Sequence, residues 1–147
     1  MLRTQPTRSA LTEPWFEACR DGRLLIQRCG DCGHYQFYPR IVCTRCSSEH
    51  VDWVEASGDA VIASFTVVRH AVSKAYEAPY VVALVDLAEG PRLMTNIIHS
   101  DFEALRIGMP VRLQFEQWDE DVSLPVFAVE TAETAEHNPV VEEALAP

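Results

Sequence analysis

From about residue 58 onward apolar and polar positions alternate in five runs, "AVIASFTVVRH", "YVVALVDL", "RLMTNIIHS", "VRLQFEQ" and "PVFAVE". A period of two is the mark of strands buried on one face. Gly58, Gly90, Gly108 with Pro110, and Pro125 punctuate the runs at turn-like positions. Five strands of this length predict a small closed or partly closed barrel. Between the third and fourth runs, "SDFEALRIG" opens on a capping Ser100 or Asp101 and predicts one to two helical turns. The irregular "AVSKAYEAP" between the first two predicts a protruding loop.

Ahead of the barrel the period changes. In "LTEPWFEACRDGRL", Leu11, Trp15 and Cys19 recur at i, i+4 with Phe16 beside them, the stripe of a short amphipathic helix. Thr12 is placed to cap it, Pro14 suits its first turn and Gly22 its end. A helix of about ten residues is marginal alone, so its apolar face must dock. "RLLIQRC", "HYQFYPR" and "VDWVEASG" predict short strands around two cysteine pairs. Residues 1–10 carry no periodic pattern and predict a flexible arm; residues 131–147, acidic and Ala-rich, predict a mostly disordered tail. The expected organisation is thus arm 1–10, helix 11–23, zinc ribbon 24–56, barrel 57–130 and tail 131–147.

A chain of 147 residues suits one compact domain or a barrel with a minor module. At 48% hydrophobic and 23% charged it can bury a core. No apolar run approaches the roughly 18 residues of a membrane span, and "MLRTQPTRSALTEPW" lacks a signal peptide's apolar stretch, so a cytoplasmic protein is expected. The net charge of −10 is uneven: residues 1–50 hold seven Arg against five acidic residues, whereas residues 51–130 hold five basic against thirteen acidic. An acidic barrel is a poor platform for a phosphate backbone, which argues against nucleic acid as partner.

"CGDCGHYQFYPRIVCTRC" sets two Cys-x-x-Cys pairs ten residues apart. Cys29, Cys32, Cys43 and Cys46 offer four thiolates to one ion, the donor set of a structural Zn2+. Four cysteines close the coordination shell, whereas a catalytic zinc keeps one position open, so the site is read as architectural. Iron in a rubredoxin-like electron carrier is the sharper alternative. Gly30 and Gly33 permit the tight first turn; Ser47 and Ser48 stand where a glycine is common in the second. His34 is read as a surface residue or one bonded around the ligands, and Cys19, towards a helix end that disfavours a thiolate, as packing. His70, His99, Asp86 and Asp101 have no spacing that assembles an acid–base site, and no phosphate loop or nucleophile elbow is present. No catalytic residue is assigned.

The succession of helix, "LLIQRCGDCGHYQFYPRIVCTRC", "VEASGDAVIASFTVV", "PYVVALVDLAEGPRLMTNII" and "RIGMPVRLQFE" resembles the acyl-CoA-associated zinc-ribbon/OB-fold family, once catalogued as a domain of unknown function, over residues 11–130. The resemblance implies a mainly β fold: N-terminal helix, rubredoxin-like zinc ribbon, then a five-stranded OB-fold barrel with one short helix. It implies a non-catalytic accessory subunit in a hetero-oligomer with a thiolase-superfamily enzyme, such as an acyltransferase or a lipid-transfer-type aldolase of steroid breakdown. It allows contact with the pantetheine or nucleotide part of CoA or acyl-CoA. The candidate contact residues are Arg28, Arg40 and Arg45, since guanidinium groups hold phosphates bidentately, with the aromatic Trp15, Phe16, Tyr35, Phe37 and Tyr38. The competing reading is a nucleic-acid-binding OB-fold that stacks bases on aromatics.

Overall fold

The structure, a computed structural model, describes residues 3–130; the acidic tail expected at 131–147 lies outside the described residues. Helix α1 spans Glu13–Arg20. Thr12 does not cap it through its side chain: a turn from Ser9 already gives Thr12 near-helical backbone, and its hydroxyl bonds back to Ser9. The helix ends at Gly22, in the left-handed region at φ 74°. There the Gly22 N–H donates to the Cys19 carbonyl and the Arg23 N–H to that of Ala18, which satisfies two terminal carbonyls. Phe16, Ala18 and Cys19 are buried, and the helix packs on β1 and β8, defined below.

Strand β1 (Leu25–Cys29) is the centre of a three-stranded antiparallel sheet, flanked by β2 (Tyr35–Gln36) and β3 (Val51–Glu55). It is buried on both faces. Ile26, fully buried, enters a core shared with the barrel, while Gln27, 3% exposed, points into the ribbon. The strand expected over "HYQFYPR" is cut to two residues because the chain leaves β1 after Gln36 to form the loop that carries Arg40.

The barrel is β4 (Asp59–Val68), β5 (Tyr80–Leu87), β6 (Arg92–Ile98), β7 (Pro110–Gln117) and β8 (Ser123–Val129), closed in the order β4-β5-β6-β8-β7. All pairings are antiparallel except β6 with β8, which touch only at Ile97–Phe127 and Ile98–Ala128. On β5 the alternation is complete: Val81, Ala83, Val85 and Leu87 are buried, around a fully buried Phe127. A register shift between Ile62 and Ser64 bends the long β4 as a bulge does.

Three expectations are corrected. No helix forms over residues 100–108: the Asp101 carboxylate takes the Glu103 N–H, the Ala104 N–H closes one turn on the Asp101 carbonyl, and Leu105 then plunges into the core. Pro125 is not a turn residue but sits within β8 opposite Phe115. Its carbonyl accepts from the Thr95 hydroxyl, so its missing N–H faces β6 where no ladder exists. Residues 3–8, expected as a flexible arm, lie against the β7–β8 hairpin: Arg3 pairs with Glu116 and stacks on Tyr76 and Trp118, Gln5 bonds Asp119, and Arg8 donates to the Asp121 carbonyl. A sequence pattern without periodicity does not reveal such side-chain ties.

A candidate metal centre and the groove beside it

The two knuckles are near copies. Gly33 and Ser47 each donate their backbone N–H to the carbonyl of the first cysteine of their pair, both at 2.9 Å, and both have positive φ, 73° and 62°. The second knuckle therefore uses serine where the left-handed backbone favours glycine. Ser47→Gly is expected to raise stability by about 0.5–1 kcal/mol, read as a higher denaturant midpoint at unchanged slope; an unchanged or lower midpoint would show that the turn carries no strain.

The turns bring the four sulfurs within 4.8 Å of one another, with Cys29–Cys46 and Cys32–Cys43 at 3.6 Å. Sulfurs about 2.3 Å from one tetrahedral zinc lie about 3.8 Å apart, so the donor set fits a single ion. Cys29 and Cys43 are buried, Cys32 and Cys46 exposed. Backbone N–H groups aim at the buried pair, Cys32 at Cys29 and Arg45 at Cys43. The Cys32 N–H leads in drawing the Cys29 thiol down to about 6, against the upward push of burial. Burial pushes Cys43 up, but the N–H groups of Cys46 and Arg45 and the nearby sulfurs outweigh it and lower the thiol. At Cys46 the Ser48 N–H acts to lower the thiol, yet the sulfurs of Cys32, Cys29 and Cys43, with burial, drive it up to about 12. Four thiols so close cannot all ionise alone, and a divalent cation is what lets them.

Outside the ligands, the Asp31 carboxylate takes the Ser48 hydroxyl and the His50 ring nitrogen, the latter at 3.1 Å, tying one knuckle to the other. The Ser48 bond first, then His50, lowers Asp31, and the bond to Asp31 raises His50. Beneath the second knuckle lies a pair of buried amides that no sequence pattern disclosed. The Gln27 carbonyl accepts from the Arg40 N–H at 2.8 Å and from the Gln36 amide at 2.9 Å, while its own amide donates to the Arg40 carbonyl at 2.9 Å. Gln36 in turn accepts from the Thr44 N–H and donates to the Val42 carbonyl. The loop over residues 40–44 is held by side chains in place of a ladder.

That loop forms one wall of a groove of about 510 Å³ between ribbon and barrel. Tyr35, Phe37, Tyr38, Arg40 and Arg45 line it, facing Glu89, Gly90 and Pro91 of the β5–β6 turn. Arg28 is not among the lining residues and lies 5.6 Å over the Tyr35 ring. None of the ion pairs among the described residues involves Arg28, Arg40 or Arg45. Trp15 and Phe16 instead line a separate apolar slot of about 370 Å³ between α1 and the barrel, which shares Phe37 and Tyr38 with the groove. Of the five aromatics, only Tyr38 is largely exposed, at 51%. His34 lines the groove and is no ligand. Cys19 is buried, which pushes its thiol up to about 12 and leaves it inert. Asp86 is gripped by Arg92 at 2.6 and 3.0 Å, Asp101 caps its turn, and His70 and His99 lie just past strand ends, so the four make no common site. Among the described residues no helix is long and apolar enough to cross a membrane.

A closed four-cysteine ribbon fused to a five-stranded barrel defines a zinc-ribbon/OB-fold protein. Residues 16–52 match the family "ChsH2, rubredoxin-like zinc ribbon domain" and residues 53–116 match "ChsH2, C-terminal OB-fold domain". A "DUF35 domain-containing scaffold protein" of Methanocaldococcus jannaschii is 34% identical over 67% of this chain and 71% of its own length. The chain belongs to this DUF35 family of ChsH2-type zinc-ribbon/OB-fold proteins. A "Probable enoyl-CoA hydratase alpha subunit" of Thermomonospora curvata is 42% identical over 86% of this chain, which spans 40% of that longer relative. The "3-oxo-4,17-pregnadiene-20-carboxyl-CoA hydratase alpha subunit" of Mycobacterium tuberculosis is 32% identical over 78% of this chain, which again spans only 37% of it. A solved structure titled "Ltp2-ChsH2(DUF35) aldolase" superposes with a TM-score of 0.80 at 41% identity, covering 85% of this chain and 98% of that one.

Proposed function

We propose that this chain is a non-catalytic accessory subunit of a thiolase-superfamily enzyme acting on acyl-CoA thioesters in lipid or steroid breakdown, and that it offers CoA the groove beside its zinc ribbon. The observation that carries the reading is the pairing of a coordinatively closed metal site with an open groove lined by Arg40 and Arg45, neither matched by an acidic group. A closed zinc cannot activate water, so its work is to hold the groove wall. Guanidinium groups free of acids are suited to phosphates. The aldolase title of the 41% identical structure supports a hetero-oligomer with a thiolase-like subunit, and the two hydratase α subunits support acyl-CoA chemistry in the partner. Those hydratase names favour a second reading, in which the same surface serves a hydratase.

Co-expression with a thiolase-like enzyme is expected to give a stable complex on affinity purification, with the enzyme's activity falling at least about tenfold when this chain is omitted. A chain that stays monomeric and leaves activity unchanged would overturn the reading; capture of a hydratase subunit in its place would favour the second. Arg40→Ala combined with Arg45→Ala is expected to weaken CoA binding by about tenfold or more at unchanged zinc content, checked by calorimetry.

A further inference from the structure

The groove holds a second charged group that the zinc ribbon does not explain. Glu89, on the turn between β5 and β6, is one of its lining residues. Its Oε1 accepts the Ser57 backbone N–H at 2.6 Å, which fixes the carboxylate. Its Oε2 is buried and has no hydrogen-bond partner among the described residues. An acceptor shut away from water without a donor is costly, and native structures rarely leave one so. Neither Arg40 nor Arg45 pairs with it, although all three line the same groove. The groove therefore keeps a cationic end and a lone acceptor apart. A ligand satisfies both only if it carries an anionic group at one place and an N–H donor at another. Inorganic phosphate or an acyl chain meets at most one of these demands.

We propose that Glu89 is a specificity-determining residue for an adenine nucleotide, accepting the exocyclic amine of the base while Arg40 and Arg45 hold its phosphates. The inference rests on the reading of this groove as the CoA contact and goes beyond it by naming the end of the ligand that is read and the residue that reads it. The half-exposed Tyr38 ring supplies a flat face for the base to stack on. With Oε1 committed to Ser57, one oxygen is left, which suits the single amine of adenine and not the two adjacent donors of guanine. Hypoxanthine, which places a carbonyl where adenine has its amine, would set two acceptors against each other.

The test uses the full-length, zinc-loaded chain and two probes, adenosine 3′,5′-bisphosphate and inosine 3′,5′-bisphosphate, titrated by calorimetry. The native chain is expected to bind the adenosine compound about tenfold or more tightly. Glu89→Gln keeps an oxygen for the Ser57 N–H and turns its amide to the groove, so the preference should reverse. Glu89→Ala should erase the preference while the arginines still bind both probes. Equal binding of the two probes by the native chain would overturn the role of Glu89 and leave the phosphate contact standing. No binding of either would overturn both, with the pull-down then judging the accessory role separately.

Discussion

Stripping the metal from this protein with a strong chelator is expected to lower its melting temperature by about 20 °C or more, because a structural zinc contributes on the order of 10 kcal/mol to folding. Metal analysis of the native protein should return one zinc per chain and no colour. The substitutions should divide by burial. Cys29→Ser and Cys43→Ser remove ligands whose sulfurs are buried and engaged by backbone N–H groups, so the ribbon should unfold. At the exposed Cys32 and Cys46 water can take up part of the vacant position, and the loss should be smaller. An unchanged melting curve after chelation would contradict the assignment of the site as structural.

Gln27→Leu should cost about 3 kcal/mol, an effect out of proportion to a substitution of similar volume on a short strand. One side chain satisfies the Arg40 N–H, the Arg40 carbonyl and the Gln36 amide, and each group left unpaired in a buried setting costs about 1–3 kcal/mol. The loop that loses its anchors carries Arg40, so CoA affinity should fall along with stability while zinc content stays at one per chain. Chemical denaturation alongside metal analysis checks both outcomes. A midpoint within experimental error of the native one would mean that the loop is held by the metal alone.

The barrel and the metal centre were legible because each leaves a local periodic trace. β5 alternates without a break from Val81 to Leu87, and a Cys-x-x-Cys pair states its own geometry. What escaped depends on contacts between distant residues. Glu89 reads as one more polar turn residue until the Ser57 N–H, thirty-two positions earlier, is found on it. Gln27 lies between apolar Ile26 and exposed Arg28, and nothing in that order reveals that its amide is buried. The helical turns expected after Ser100 failed because a capping residue predicts only that a turn begins. Its continuation was decided by Leu105, which the core claimed. The candidate contacts divided for the same reason: the arginines and aromatics of the knuckle loop fell to one groove, while Trp15 and Phe16, adjacent on α1, were taken to another.

Strand β3 runs from Val51 to Glu55, and the two family matches meet between residues 52 and 53, inside it. A truncation at that boundary would split a strand whose whole length pairs with β1, and would part Ile26 from the core it shares with Phe127. Neither fragment should refold alone. Recombination in this lineage should therefore move ribbon and barrel together as one cassette, joined to other catalytic chains outside the cassette and never through its middle.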